Sequence, residues 1–241
     1  MVEVTNVTKS FGSKDETVEA LSGVDVVIGQ GQLTSLMGSS GSGKSTLLQC
    51  MAGVESPTTG TIMVAGENLS AMKEKQLAKF RRTTVSYVFQ AFGLLPTLST
   101  AENIRLPLIL NKTKVDKDWF EKVVAVFHLG DALNHKPAKL TAGQQQRVAC
   151  ARALMSQPSV IFADEPTGEL NRDEADELLD MLSDCVENLG QTIVIATHDP
   201  AVAASTDRVC VMEDGVIIAE IDSPNLTEVM KAWKSLSGGQ V

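Results

Sequence analysis

The feature that most constrains the fold of this chain is a glycine-rich loop between an apolar strand and an apolar helix. Leu33 to Met37 is typical of a buried strand, and a helix is predicted to begin near Lys44. The loop matches the pattern GxxxxGK[ST] in full, with the residues Gly38, Ser39, Ser40, Gly41, Ser42, Gly43, Lys44 and Ser45. Glycines let the backbone curl so that successive amides face an anion, and the helix that follows presents its positive end. The loop therefore predicts a phosphate-binding site in an α/β domain.

Each polar residue of this loop has an expected role. Lys44 is expected to pair with the β- and γ-phosphates of a nucleotide, and Ser45 is expected to ligate magnesium. Thr46 can add an amide and a hydroxyl at the α-phosphate. The alternative is a flexible glycine loop without a ligand, and the strand before it and the helix after it count against that alternative.

A second motif places two carboxylates at the end of an apolar strand. Val160 to Ala163 is followed by Asp164 and Glu165, and ligands collect at the carboxyl ends of strands in open α/β sheets. Asp164 suits a magnesium-holding role, and Glu165 suits a base that orients or polarises an attacking water. A solvated acidic pair is the alternative. Beside a phosphate loop, the two carboxylates indicate nucleotide hydrolysis.

The remaining apolar pattern predicts strands and helices that alternate along the chain. Val2 to Val7 and Val24 to Ile28 alternate apolar with polar residues, which favours half-buried antiparallel strands. Val160 to Ala163 and Ile193 to Ala196 are continuously apolar, which favours parallel strands buried on both faces. The sheet is therefore expected to be mostly parallel at its centre.

The second half of the chain also contains turn and helix signals. Asp173 to Leu189 places leucines on one stripe and predicts a crossover helix that stops at Gly190. Asp214 and Gly215 lie between two apolar runs and predict a hairpin. A last helix is expected over Leu226 to Leu236.

The middle of the chain predicts a helical sub-lobe. After Tyr87 to Phe89 the pattern becomes irregular and then mostly helical until about Pro158. Asp116 is expected to cap a helix that ends at Gly130, with inward-facing Trp119, Phe120, Val123 and Phe127. The whole chain, 1–241, is expected to be one domain, in which 1–90 and 158–241 form the core with an antiparallel β subdomain and 91–157 form a helical subdomain.

Composition excludes several classes of protein. The net charge of −9 disfavours a protein that binds nucleic acid by neutralising its phosphates. The four cysteines are far apart and form no CxxC pair, so they are expected to be core residues in a reducing cytosol. The sequence has no secretory signal pattern and no apolar run that approaches the ~20 residues of a membrane span.

A third motif carries a family resemblance. Leu140 to Arg147, with the sequence LTAGQQQR, closely resembles the LSGGQQQR signature of ABC ATPases, and other motifs of that family follow in the expected order along the chain. The resemblance implies that Asp164 and Glu165 are the Walker B pair and that Gly168 to Asn171 is the D-loop. It also implies roles for three further residues, namely adenine stacking for Phe11, a magnesium or water contact for Gln90 and a γ-phosphate contact for His198.

The resemblance implies a fold, a ligand and partners. The fold is an α/β P-loop ABC-type nucleotide-binding domain with a mostly parallel core sheet, an antiparallel β subdomain and a helical subdomain. The ligands are ATP and Mg²⁺. In the family the signature closes on ATP bound to a second copy, which implies a homodimer whose signature contacts are Thr141, Ala142, Gly143 and Gln144. Integral-membrane permease subunits are the further partners, at the cytoplasmic face of the cell membrane, in what is expected to be an exporter.

Two positions depart from the family, one in the signature and one in the D-loop. Ala142 stands where glycine is usual, so its backbone is less free to adopt a left-handed conformation. Asn171 stands where aspartate is usual and carries no charge. Slower or differently coupled hydrolysis is expected, rather than its loss, since the phosphate loop, the two carboxylates and His198 are intact.

Several alternatives stay open at this point. Phe11 could be an ordinary core aromatic, because the family more often uses tyrosine there. Phe92, Leu94 and Leu95 could line a groove for a permease helix or pack inside the sub-lobe. The branch resembled includes the MacB, LolD and FtsE ATPases and haem exporters of the HrtA type. The alternative function is an FtsE-like or iron-sulfur-assembly-like ATPase that acts on a protein complex without transport; a DNA-repair or translation protein fits badly.

Overall fold

The computed structural model describes residues 1–13 and 16–236. The strands within that part are β1 (Val2–Ser13), β2 (Glu16–Ile28), β3 (Leu33–Gly38), β4 (Thr59–Val64), β5 (Glu67–Asn68), β6 (Val85–Val88), β7 (Val160–Asp164), β8 (Ile193–Thr197), β9 (Arg208–Glu213) and β10 (Val216–Asp222). The α-helices are α1 (Lys44–Met51), α2 (Glu74–Thr83), α3 (Thr100–Leu110), α4 (Lys117–Val126), α5 (Ala142–Met155), α6 (Arg172–Leu189), α7 (Pro200–Ala204) and α8 (Leu226–Leu236).

The central sheet has six strands in the order β10-β9-β3-β8-β7-β6. All neighbours from β9 to β6 pair in parallel, and only β10 is antiparallel, at one edge. Both β3 and β8 are buried along their whole length, as continuous apolar runs favour. The predicted mostly parallel core sheet is therefore confirmed.

A second, antiparallel sheet has the order β2-β1-β4-β5. The two strands predicted at Val2–Val7 and Val24–Ile28 are present, but β1 continues to Ser13 and β2 begins at Glu16. Their pairing contains three register shifts. Each shift breaks the alternation of apolar and polar residues. The alternating pattern therefore covers only part of each strand, and the predicted strands are shorter than the observed ones.

The helical region packs against one face of the central sheet. Asp116 caps α4 as predicted, because its carboxylate accepts hydrogen bonds from the amides of Asp118 and Trp119. The predicted end at Gly130 is wrong, since α4 ends at Val126 and a short 3₁₀ helix occupies Gly130–Ala132. His128, with φ +49°, turns the backbone out of the helix before the glycine is reached. Of the side chains predicted to face inward, Trp119 is half-buried and the others are buried, namely Phe120, Val123 and Phe127.

The predicted elements of the second half are confirmed. The crossover helix α6 ends at Leu189, where Gly190 adopts the left-handed conformation with φ +66°. Asp214 and Gly215 form the turn between β9 and β10, with φ of +44° and +77°. No helix among residues 1–13 and 16–236 is long and apolar enough to cross a membrane.

Candidate functional site

The phosphate loop connects β3 to α1, and its shape depends on two glycines. Gly43 has φ +100°, and a Cβ on it would lie 2.5 Å from the carbonyl oxygen of Ala20. A Cβ on Gly38 would lie 2.4 Å from the carbonyl oxygen of Met212. Residues 38 and 43 must therefore be glycines, because the loop is packed between the antiparallel sheet and the central sheet.

Lys44 is the first residue of α1, and its ammonium lies inside the loop. Its Nζ donates hydrogen bonds to the carbonyl oxygens of Gly38 at 2.9 Å and Ser39 at 2.8 Å. Burial lowers the pKa of Lys44, and the nearby carboxylates of Glu165 and Asp164 oppose that shift. A buried cation that donates to neutral carbonyls can exchange them for the oxygens of an anion.

Asp164 is the last residue of β7, and its two carboxylate oxygens have different partners. Ser45 Oγ donates to Oδ1 at 2.8 Å, and the Tyr87 hydroxyl donates to Oδ2 at 3.1 Å. Burial, and then the negative charge of Asp164, raises the pKa of Tyr87. The tyrosine therefore stays protonated and remains a donor.

Glu165 and His198 form a pair at the ends of the neighbouring strands β7 and β8. Oε1 of Glu165 lies 2.9 Å from Nδ1 of His198. The Glu165 side chain is 16% exposed, whereas that of His198 is 65% exposed, so the histidine covers the carboxylate from the solvent side. Glu165 has φ +47°, a left-handed conformation that is uncommon outside glycine and is often found at functional sites.

Lys44, Glu165 and His198 line one cavity of about 480 Å³. It is lined by Ser39, Ser40, Gly41, Lys44, Ser45, Gln90, Glu165, His198 and Trp233. Parallel strands end at the same edge of a sheet, which brings the loop after β3 next to the residues that follow β6, β7 and β8. A second, larger cavity of about 710 Å³ is lined by residues that include Met1, Trp119 and Gly190. No residue of the phosphate loop lines this second cavity.

Two residues at this site were missed from the sequence. Tyr87 contacts Asp164 because β6 and β7 are paired in parallel. Its place three residues before Gln90 was the available signal. Trp233 comes from α8, nearly 200 residues beyond the phosphate loop, and no local pattern connects the two.

The signature residues 141–144 open α5 and do not line the cavity of their own chain. Thr141 caps the helix, since its Oγ1 accepts from the Gln144 amide at 3.1 Å and Gln144 Oε1 accepts from the Thr141 amide at 3.0 Å. Ala142 is the first helical residue, so the left-handed conformation considered from the sequence is not used. A Cβ on Gly143 would lie 2.8 Å from Oε1 of Glu174, so α6 packs directly against this helix end.

Four further positions from the sequence analysis have mixed outcomes. Phe11 is 40% exposed, with Lys9 Nζ 4.6 Å from the centre of its ring, so the alternative of a core aromatic is wrong. Leu94 packs against the core, as the sub-lobe alternative expected. Leu95 is 43% exposed, but it does not line the apolar groove described below. Asn171 caps α6 through its side-chain oxygen.

Comparison with known proteins gives one consistent family. Residues 21–168 match the protein family described as ABC transporter. The bacitracin export ATP-binding protein BceA of Halalkalibacterium halodurans is 38% identical over 100% of this chain and 98% of its own length. The lipoprotein-releasing system ATP-binding protein LolD of Bacteroides fragilis is 43% identical over 90% of this chain and 100% of its own length.

Two other matches extend this result. The macrolide export ATP-binding/permease protein MacB of Chlorobaculum tepidum is 40% identical over 90% of this chain, which corresponds to 34% of that protein. A solved dimer of the ATP-binding cassette MJ0796, in a post-hydrolysis state bound to ADP and Pi, matches with a TM-score of 0.84 at 35% identity. The match covers 93% of this chain and 100% of that chain. The predicted fold class and the resemblance to the MacB and LolD branch are thus confirmed.

Proposed function

Because the chain belongs to the ABC transporter family and is one of its ATP-hydrolysing subunits, we propose that it drives a separately encoded membrane permease as one half of a homodimer. Its place is the cytoplasmic face of the cell membrane, where the permease holds it. The relatives named above act in export or in lipoprotein release, which favours transport over the alternative of a non-transport ATPase. The direction is export, and the haem-exporter subtype stays a prediction.

The site fits magnesium and a nucleotide triphosphate. Magnesium prefers hard oxygen ligands and is usually held by one or two carboxylates together with phosphate oxygens. Ser45 and Asp164 offer such oxygens side by side. Bound there with Gln90 nearby, magnesium would neutralise charge on the phosphate oxygens.

The residues of the chain divide the remaining work of hydrolysis. Lys44 binds the β- and γ-phosphates, and the backbone amides of the loop up to Thr46 donate to the remaining phosphate oxygens. Glu165 accepts a proton from the attacking water or orients it, and His198 holds the Glu165 carboxylate and contacts the γ-phosphate. The exposed ring of Phe11 stacks on adenine.

The observation that carries this assignment is the position of Glu165. Its carboxylate is largely buried, is held by His198 at 2.9 Å, and lines the same cavity as Lys44 and Ser45. A carboxylate that lines the same cavity as a phosphate-binding lysine can orient a water towards the γ-phosphate, as in-line hydrolysis requires.

The signature supports a dimer. Thr141 to Gln144 lie outside the cavity of their own chain, although the first amides of α5 form an anion-binding helix end. A second copy in the opposite orientation would bring this end to the γ-phosphate. ATP then holds the two copies together, and its hydrolysis releases them.

An apolar groove beside Gln90 supports the permease contact. It has a volume of about 420 Å³ and is lined by residues of α2, β6, α3 and α5, with Phe89, Pro107 and Leu110 among them. Phe89 is 49% exposed and Leu110 is 67% exposed, and exposed apolar side chains around a groove are typical of a protein-binding surface. A helix of the permease is the proposed occupant.

Glu165→Gln tests the role of the base. Turnover of ATP is expected to fall by about 10²-fold or more, as for loss of a general base, while ATP binding persists and the dimer accumulates. The measurements are phosphate release and size-exclusion chromatography with ATP and magnesium. The control is Glu187→Gln, which removes an exposed carboxylate on α6 and should leave turnover unchanged. Turnover at the parental rate in Glu165→Gln would contradict the assignment.

A further inference from the structure

Tyr87 touches both the carboxylate of Asp164 and the ring of Phe89, and with Phe89 it lines the apolar groove. Its hydroxyl donates to Oδ2 of Asp164 at 3.1 Å. Its ring lies 4.6 Å from the ring of Phe89, at an interplanar angle of 47°. It is also the only tyrosine of the chain.

On the side of the nucleotide cavity, Tyr87 fixes the orientation of Asp164. Ser45 holds one oxygen of this carboxylate and Tyr87 holds the other. Because both oxygens accept hydrogen bonds, the orientation of the Asp164 carboxylate is fixed without a bound ligand. Partners that hold a metal-ligating side chain in this way commonly change metal affinity by about 10- to 100-fold when they are removed.

On the side of the groove, Tyr87 is in contact with an exposed side chain. Phe89 is two residues further along the chain, on the same face, and lines the groove together with Pro107 and Leu110. An aromatic pair in a tilted arrangement has a preferred geometry. A partner that displaces the Phe89 ring therefore acts directly on the Tyr87 ring.

We propose that Tyr87 is a positioning residue that orients Asp164 for magnesium-nucleotide binding and transmits occupancy of the groove to that carboxylate. This inference rests on the proposed function, in which Asp164 holds magnesium and the groove receives a partner. Tyr87 touches neither the nucleotide nor the water, and it acts through the orientation of Asp164.

Tyr87→Phe tests whether Tyr87 orients Asp164, because it removes only the hydroxyl that donates to this carboxylate. Affinity for ATP with magnesium is expected to fall about 10-fold, while affinity for ATP in excess EDTA stays at the parental value. Both are measured by calorimetry. The matched control is Ser86→Ala, which also removes a hydroxyl from β6. The Ser86 hydroxyl contacts Ser156 and not Asp164, so this variant should change neither affinity.

The outcomes separate this inference from the proposed function. Equal losses with and without magnesium in Tyr87→Phe, or no loss in either, would overturn the positioning role. Asp164→Asn is measured alongside. If Asp164→Asn binds magnesium-ATP as the parent does, the magnesium assignment fails first and the inference fails with it.

Phe89→Ala tests whether the groove acts on Asp164 through Tyr87, because its effect should then not be additive with that of Tyr87→Phe. Phe89→Ala alone is expected to lower magnesium-ATP affinity about 3-fold, and its effect should vanish in a Tyr87→Phe background, since residues that act through one contact are not additive. Leu110→Ala also alters the groove but lies on α3, and it should leave the affinity unchanged. Equal effects of Phe89→Ala in both backgrounds would rule out transmission through Tyr87.

Discussion

At the scale of single residues, the departure from the family at position 171 has a structural consequence. Asn171 Oδ1 accepts from the Glu174 amide at 3.0 Å, and Asn171 Nδ2 donates to Glu174 Oε2 at 2.9 Å. The second bond needs an amide, because an aspartate has no donor there. Glu174 in turn packs against Gly143 at the start of α5. The uncharged residue thus fits its acidic neighbour and connects the D-loop to the signature.

Asn171→Asp is expected to destabilise the protein by about 1 kcal/mol, because it removes a donor to a carboxylate and adds a like charge beside it. Urea denaturation measures the loss. Glu174→Gln should largely remove the penalty in the double variant, since the repelling charge is gone. An Asn171→Asp penalty that persists undiminished beside Glu174→Gln would show that charge repulsion is not its cause.

At the scale of elements, the site is assembled from the ends of parallel strands and from one distant helix. β7 and β8 end side by side, which brings Glu165 next to His198. The apolar run before it indicated Glu165, whereas the role of His198 was implied by the family resemblance. The sequence did not indicate Trp233, which α8 brings to the wall of the nucleotide cavity by packing on α7 and β9.

The two tryptophans of the chain provide a test of this arrangement. In Trp119→Phe, Trp233 is the only tryptophan left, and its fluorescence is expected to change saturably as ATP is added, because its indole lines the cavity that fills. In Trp233→Phe, the remaining Trp119 lines the separate cavity of about 710 Å³ and should not respond. A flat titration of Trp119→Phe, under conditions where calorimetry reports ATP binding, would contradict the placement of α8.

At the scale of the whole molecule, the central sheet separates two large apolar cores. Alternate residues of β7 enter different cores, with Ile161 on the helical side and Phe162 on the side of α1 and the antiparallel sheet. The thiols divide in the same way. Cys150 and Cys185 lie in the first core, and Cys50 and Cys210 lie in the second. Each core therefore holds two thiols that report on its integrity.

All four cysteines are buried and free, and burial raises the pKa of each thiol, that of Cys50 to about 11. The thiolate is the reactive form, and at pH 8 a thiol with a raised pKa is almost entirely protonated. The native protein is expected to show almost no rapid reaction with a thiol reagent at pH 8, and all four thiols should react in denaturant. Rapid modification of even one native thiol would contradict the burial of that residue.

The sequence by itself determined the local elements whose signals lie within a few residues. The phosphate loop, the carboxylates after β7, the Asp116 cap and the Gly190 stop are all set by backbone geometry or by hydrogen bonds between near neighbours. Prediction from the sequence failed where the apolar pattern did not follow the backbone hydrogen bonds. The bulges of β1 interrupted the alternation, and His128 turned the chain before Gly130.

Only the tertiary structure decided which distant side chains share a site. The parallel register of β6 and β7 places the Tyr87 hydroxyl on Asp164, and the docking of α8 places Trp233 at the nucleotide cavity. Both depend on contacts between segments far apart in the chain, which hydrophobic burial stabilises without leaving a local pattern. The physical reason is that burial is non-directional: it requires that an apolar face be covered, and the packed elements determine what covers it.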